Sequence, residues 1–234
     1  MALKDDLQTQ VADIFKTRWT TRDGTVVPDD TSLKLGNDAV KLDATVLYAD
    51  LADSTKLVDG YRPFFAAEIY KAFLHCAGKI IRAEGGVITA YDGDRIMAVF
   101  IGSNKNSAAA KCALRINWTA KYLIQPAIQK QYSDNKFVLN HVCGIDTSSL
   151  WVAKTGVRGA NDLVWVGRAA NYAAKLSALD HAKPTWITKA VYDMLHKSSK
   201  FAKNGEGENM WVKHTWNTMN NMEIYASTYW WPLS

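Results

Sequence analysis

Between Val87 and Phe100 the chain reads VITAYDGDRIMAVF. Two apolar runs flank Asp92-Gly93-Asp94, and an Asp-Gly pair between such runs is the signature of a tight hairpin turn. The stretch therefore commits the chain to an antiparallel strand pair with two carboxylates at its tip. Just upstream, YRPFFAAEIYKAFLHCAGKIIRAEGG has apolar residues at helical spacing, Pro63 near its first turn and Gly85-Gly86 as its stop. A long amphipathic helix feeding directly into a hairpin needs a sheet to pack on.

The remaining chain repeats this alternation. Leu3, Leu7, Val11, Ile14 and Phe15 predict an opening amphipathic helix, able to pack on its own domain or on a second subunit. Residues 20–40, polar with Gly and Pro, read as an exposed connection. ATVLYADL predicts a buried strand that ends near Asp50. NSAAAKCALRINWTAKYLI predicts a helix ended near Pro126. FVLNHVCGID and SLWVAKTG read as a second pair of strands, and DLVWVG as a short strand leading into the helix RAANYAAKLSAL. PTWITKAVYDML gives a strand and a helix, and NMWVKHTW and MEIYASTYWW give closing strands. No internal repeat or low-complexity segment interrupts this. The expected organisation is an N-terminal helix and connection over 1–40 and one α/β or α+β domain over 41–234, with helices on a mixed sheet.

Composition narrows the function classes. A chain of 234 residues, 48% hydrophobic, can bury a full core. A net charge of +5 suits a polyphosphate ligand, but no Lys/Arg run exceeds two residues, so a nucleic-acid partner is not expected. Three cysteines, Cys76, Cys112 and Cys143, lie in apolar segments without paired spacing and read as buried thiols rather than a disulfide or zinc framework. MALKDDLQTQ is charged where a signal peptide would begin its apolar core, and no apolar run approaches the ~20 residues that span a bilayer. A reduced, cytoplasmic protein with no membrane partner is the expectation.

The chemistry concentrates at three places. Asp50 ends a strand, and the turn after it offers the backbone N–H groups of Ser54 and Thr55 to phosphate oxygens. Asp94 sits at the hairpin tip. If the two strands pair, both carboxylates project from one sheet edge and form a hard-oxygen set suited to Mg²⁺ or Mn²⁺. The plainer alternative makes Asp53 a helix cap and Asp92-Gly93 an ordinary turn. On RAANYAAKL, Arg168, Asn171 and Lys175 share one helix face carrying two cations and an amide; alone, that face would read as solvated surface.

Taken together, YADLADST, GGVITAYDGDRIMAVF and VGRAANYAAKL resemble, in order, the three motifs of class III nucleotidyl cyclase catalytic domains, over roughly residues 43–228. The resemblance implies an α+β fold, a mainly antiparallel mixed sheet flanked by helices with a ferredoxin-like core. It implies that Asp50 and Asp94, helped by the Leu51 carbonyl, hold two Mn²⁺ or Mg²⁺ ions per site. Asn171 would orient the ribose while its 3′ oxygen attacks the α-phosphate, and a cation on the same helix would stabilise the developing charge. One copy of each motif implies a homodimer with shared sites.

The departures from that family bear on the substrate. The purine-reading Lys, three residues before the Gly of Gly-Asp, is Ala90 here, and the second reader, seven residues before the Asn, is Val164. Losing both polar readers removes the basis for purine selection. Tyr91, beside Ala90, either narrows the base pocket or packs on a helix, since alternation sets Ala90 and Tyr91 on opposite faces. This combination resembles the bacterial pyrimidine cyclases of the Pycsar antiphage system, which implies UTP as substrate, a cyclic UMP product and a separate effector that the product activates. Cytidylate cyclase, adenylate cyclase and an inactive nucleotide-binding module stay open. Lys175 stands where the family has its transition-state Arg, with Arg168 as a second candidate. Lys213 is the nearest, weak match to a triphosphate Lys.

Overall fold

A computed structural model of the protein describes residues 2–233. In chain order the elements are α1 (Leu3–Lys16), β1 (Thr20–Asp23), β2 (Asp38–Leu51), α2 (Ser54–Gly60), α3 (Pro63–Ala83), β3 (Val87–Asp92), β4 (Arg95–Phe100), α4 (Lys105–Thr119), α5 (Gln125–Gln131), β5 (His141–Val157), β6 (Ala160–Val166), α6 (Arg168–Ser177), β7 (Thr185–Thr188), α7 (Lys189–Asp193), α8 (Lys197–Lys200), β8 (Val212–Trp216) and β9 (Met222–Ser227). Contacts divide the chain into two compact units. One holds the described residues through Asp43 together with Ser149–Gly167; the other holds Ala44–Ser148 and the chain from Arg168 onward. The hairpin segment 149–167 thus groups with the N-terminal residues, a grouping that the sequence does not announce.

In the larger unit the strand order is β3-β4-β2-β5-β7-β9-β8. The pairs β3/β4, β2/β4, β7/β9 and β8/β9 are antiparallel, and β5/β7 is parallel. The sheet is therefore mixed and mainly antiparallel, as expected. Alternation along β2 and β4 turns Leu47, Ala49, Ile96, Ala98 and Phe100 toward α3 and α4, where they meet Phe73, Ile81, Ala109 and Ala113 in one core. Gly93 makes the β3–β4 turn with φ of 62°, in the left-handed region. The register shifts between Ile88 and Ala90, so Ala90 pairs with Met97 and Tyr91 with Ile96.

The smaller unit pairs β1 in parallel with the start of β2, and the end of β5 with β6. Its helix α1 buries none of its residues; Leu3, Leu7, Val11, Ile14 and Phe15 all stand exposed. The Asn37 side-chain amide ties down the helix end by donating to the carbonyls of Ile14 (2.8 Å) and Thr17 (2.6 Å).

Three local expectations change. The two strands read from FVLNHVCGID and SLWVAKTG are one 17-residue strand, β5, because Asp146–Ser149 continue extended instead of turning. Residues 20–40 contain β1 rather than only a connection. The helix does not stop at Pro126. A wide π-type turn, Ala120–Ile124, comes first, and Pro126 then sits in the first turn of α5, where its missing N–H costs little. The three cysteines are free, Cys112 and Cys143 buried and Cys76 partly so. Among the described residues no helix is long and apolar enough to cross a membrane.

Candidate active site

Register brings the first two motifs together. Asp50, near the end of β2, lies opposite Arg95, the first residue of β4, and the Leu51 N–H donates to the Asp94 carbonyl at 3.4 Å. Asp50, Leu51 and Asp94 thus meet at one sheet edge. Asp50 belongs to the face away from α3, because its strand neighbours Ala49 and Leu51 enter the helix-side core. Half-burial, and then the neighbouring Asp94 carboxylate, push the Asp50 carboxyl up to about 6. Arg95 opposes this, but its guanidinium is already engaged by Asp92 at 2.6 Å and stands over the Tyr48 ring. Arg95 was not singled out from the sequence. Its position directly after Asp94 was the available signal.

This donor set fits a divalent cation. A carboxylate whose proton affinity is raised by burial and by a second carboxylate beside it, as at Asp50, is poorly compensated by the protein alone, and a hard cation relieves that repulsion. Among the described residues there is no cluster of three or more His, Cys, Asp or Glu side chains able to hold a metal. The remaining ligands would have to be backbone carbonyls, Leu51 first, and substrate phosphate oxygens.

Immediately beyond, the Ala52 N–H donates to the Asn140 carbonyl at 3.0 Å, and Ser54 and Thr55 open α2. Asp53 adopts the left-handed region (φ 58°) and does not cap α2 with its side chain. It pairs instead with Lys56 at 2.7 Å and faces His181 at 3.8 Å. Among the described residues, the start of α2 therefore carries no capping carboxylate on its amides.

The base-pocket assignments divide. Ala90 pairs with Met97, on the same face of the hairpin as the Asp92–Arg95 pair, and so lies on the Asp50 side. Of the two readings of Tyr91, the pairing favours the helix. It pairs with Ile96, on the helix side, and its hydroxyl lies 2.9 Å from where a Cβ on Gly78 of α3 would stand, while the residue stays 57% exposed. Val164, on β6 in the smaller unit, pairs with Ala153 of β5 and is 38% exposed.

The third motif is built separately. α6 packs by backbone contact, since a Cβ on Gly144 of β5 would fall 2.2 Å from the Ala173 carbonyl oxygen and 2.4 Å from the Ser177 nitrogen. Asn171 and Lys175 are exposed on the outer face, with Lys175 Nζ 3.6 Å from the Met219 sulfur. Arg168 is not free. Its Nε donates to Asp146 Oδ2 at 3.0 Å and its Nη2 to the Thr147 carbonyl at 2.7 Å. Asp146 was missed in the sequence, although a carboxylate inside the apolar run HVCGID needs a partner. Among the described residues no hydrogen bond or ion pair joins Asp50 or Asp94 to Arg168, Asn171 or Lys175. Lys213 is paired with Glu223 at 2.5 Å.

No family profile matches the chain. The adenylyl cyclase CyaB from P. aeruginosa superposes with a TM-score of 0.65 at 20% identity, over 81% of this chain and 95% of its own, which establishes the class III cyclase fold. A protein named uridylate cyclase from Xanthomonas perforans is 56% identical over 232 residues, 99% of both chains. Another of that name, from Burkholderia cepacia, is 51% identical over 233 residues, again 99% of both. A likeness that strong, running the full length of both relatives, makes this chain a member of the uridylate cyclase family.

Proposed function

We propose that the protein converts UTP to 3′,5′-cyclic UMP and pyrophosphate in a homodimer with two shared sites. The observation that carries this is the poorly compensated pair of carboxylates at the β2 and β4 ends, in a chain 56% identical over its length to a protein named uridylate cyclase. Asp50, Asp94 and the Leu51 carbonyl would hold two Mn²⁺ or Mg²⁺ ions. Bound there, these supply Lewis-acid activation of the ribose 3′ hydroxyl and neutralise the triphosphate.

The chain's own residues do the rest. The amides of Ser54 and Thr55 receive phosphate oxygens without a competing capping carboxylate. Asn171 holds the ribose, and Lys175 meets the charge that develops on the α-phosphate. Lys175 lacks the planar fork of an arginine, so it acts as a point charge. Ala90 and Val164 leave purine edges without hydrogen-bond partners, which supports a pyrimidine substrate. Carboxylates and the α6 face sit on separate elements with no bond between them, in keeping with sites completed by a second copy. The product would act as a cytoplasmic second messenger, in antiphage defence, on a separate effector; the ground for this is the resemblance to Pycsar cyclases.

Incubation of the purified protein with Mn²⁺ and all four ribonucleoside triphosphates, read by product mass, tests the reading. Cyclic UMP should dominate. Cyclic CMP as the main product would move the assignment to CTP, and cyclic AMP or cyclic GMP would overturn the pyrimidine reading.

A further inference from the structure

The buried carboxylate of Asp146 has no part in the scheme above, yet it is the hub of a network. Its side chain is fully buried, while that of Arg168, which it binds, is 44% exposed. Oδ2 accepts from Arg168 Nε at 3.0 Å; Oδ1 accepts from Arg168 Nη2 at 3.4 Å and from the Thr188 hydroxyl at 2.5 Å. Arg168 Nη2 also donates to the Thr147 carbonyl, and the Ala169 N–H donates to the Ser148 hydroxyl at 3.0 Å. The guanidinium lies over the Tyr172 ring. Three consecutive residues of β5 therefore grip the first two residues of α6, and Thr188 at the end of β7 braces the grip.

We infer that Asp146 is a positioning residue that clasps α6 through Arg168, and that Arg168 spends its charge on this clasp, leaving Lys175 as the cation that meets the substrate. The inference rests on the cyclase reading. Asn171 and Lys175 follow Arg168 by one and two helical turns on the same face, so the angle of the first turn sets where both side chains point. Gly144 fixes the far half of α6 at backbone contact, and the clasp fixes the near half. For Arg168 to reach a phosphate it would have to leave Asp146 ionised and unpaired inside the protein, which is strongly unfavourable. A helix held at one end only would let the amide and the ammonium drift by about an ångström, enough to cost catalysis on the order of 10²-fold.

The test is a double-mutant cycle with UTP and Mn²⁺, run well below the melting temperature. Asp146→Asn and Arg168→Met should each lower kcat roughly 10- to 100-fold with KM changed less than about threefold. The double variant should be no worse than the poorer single, because both remove one device. Thr188→Val, a milder cut, should give a smaller loss of the same kind and keeps the test open if Asp146→Asn fails to fold. Amide exchange at Asn171 and Tyr172 should quicken in every variant. Near-normal kcat in Asp146→Asn beside a loss of ~10³-fold or more in Arg168→Met would overturn the inference and make Arg168 the reacting cation. Lowered melting temperatures with kcat intact would also overturn it, reducing the clasp to stability alone. If the unmodified protein forms no cyclic nucleotide, the cyclase reading fails, and the exchange rates alone decide whether Asp146 holds α6.

Discussion

Replacing Asp50 by Asn should make the metal-free protein more stable while abolishing turnover. The folded state pushes this carboxyl from 3.8 up to about 6, through burial first and the Asp94 carboxylate second. At neutral pH the full shift would cost the fold about 3 kcal/mol, and solvent screening of this half-exposed carboxylate cuts that to about 1–2 kcal/mol. The sign follows from which state keeps its proton. Below pH 3.8 both folded and unfolded chains hold it and there is no cost. As pH rises from 3.8 through about 6 the unfolded chain releases it first, and stability falls; above 6 the full cost applies. Asn carries no charge, so its advantage should be greatest at pH 7.5 and fade toward pH 4. For a protein of this size, about 1–2 kcal/mol corresponds to roughly 2–8 °C in melting temperature, an upper limit because Asn also loses acceptor capacity. The assay is a thermal melt of both proteins in chelator, from pH 4 to pH 8, repeated with Mn²⁺. Mn²⁺ should raise the melting temperature of the unmodified protein and leave Asp50→Asn nearly unchanged. An advantage equal at pH 4 and pH 7.5, or a variant less stable at pH 7.5 in chelator, would refute the reasoning.

Acid should act in the opposite direction at His141. Burial, with Lys121 nearby, depresses this imidazole from 6.5 to about 4, so its share of stability, about 3 kcal/mol, is present above pH 6.5 and lost as pH falls toward 4. His141→Gln in the Asp50→Asn background should flatten the acid limb of a urea-melt series over that window. Mixing the inactive variants Asp94→Ala and Asn171→Ala should restore cyclic nucleotide synthesis in verified heterodimers; heterodimers without activity would rule out sites shared between chains. Ala90→Lys combined with Val164→Asp should raise the ATP-to-UTP ratio of kcat/KM by roughly tenfold or more, and an unchanged ratio would show that base choice lies elsewhere.

The fold was legible where a local pattern is also a global demand. The DGD turn between two apolar runs admits one pairing, β3 with β4, and the pairing of β4 with β2 then brings Asp94 beside the end of β2. The helix before it could pack on only one face of the resulting sheet, so helices on a mixed sheet followed, and the mainly antiparallel order came with the resemblance to class III cyclases. Long-range partners were less legible. Nothing near Arg168 in sequence names Asp146, 22 residues away, so an arginine that completes a buried pair read as a free cation. Tyr91 is different. Alternation set it opposite Ala90, and its hydroxyl beside Gly78 of α3 is in line with the helix-packed reading. Pro126 misled because its cost depends on position: inside a helix it breaks a bond, but just after a π-type turn there is no bond for it to break.

The seat of Tyr91 has an evolutionary corollary. Its hydroxyl occupies the volume that any side chain at position 78 would claim, so the two positions form a single size allowance shared between a strand and a helix. A lineage that gains Ala or Ser at 78 must either swing the exposed phenol at 91 aside or trade it for a shorter side chain, whereas a smaller residue at 91 leaves room for both outcomes. Among relatives, then, bulk at 78 should accompany a displaced or shortened side chain at 91, and this coupling holds whatever nucleotide the protein consumes.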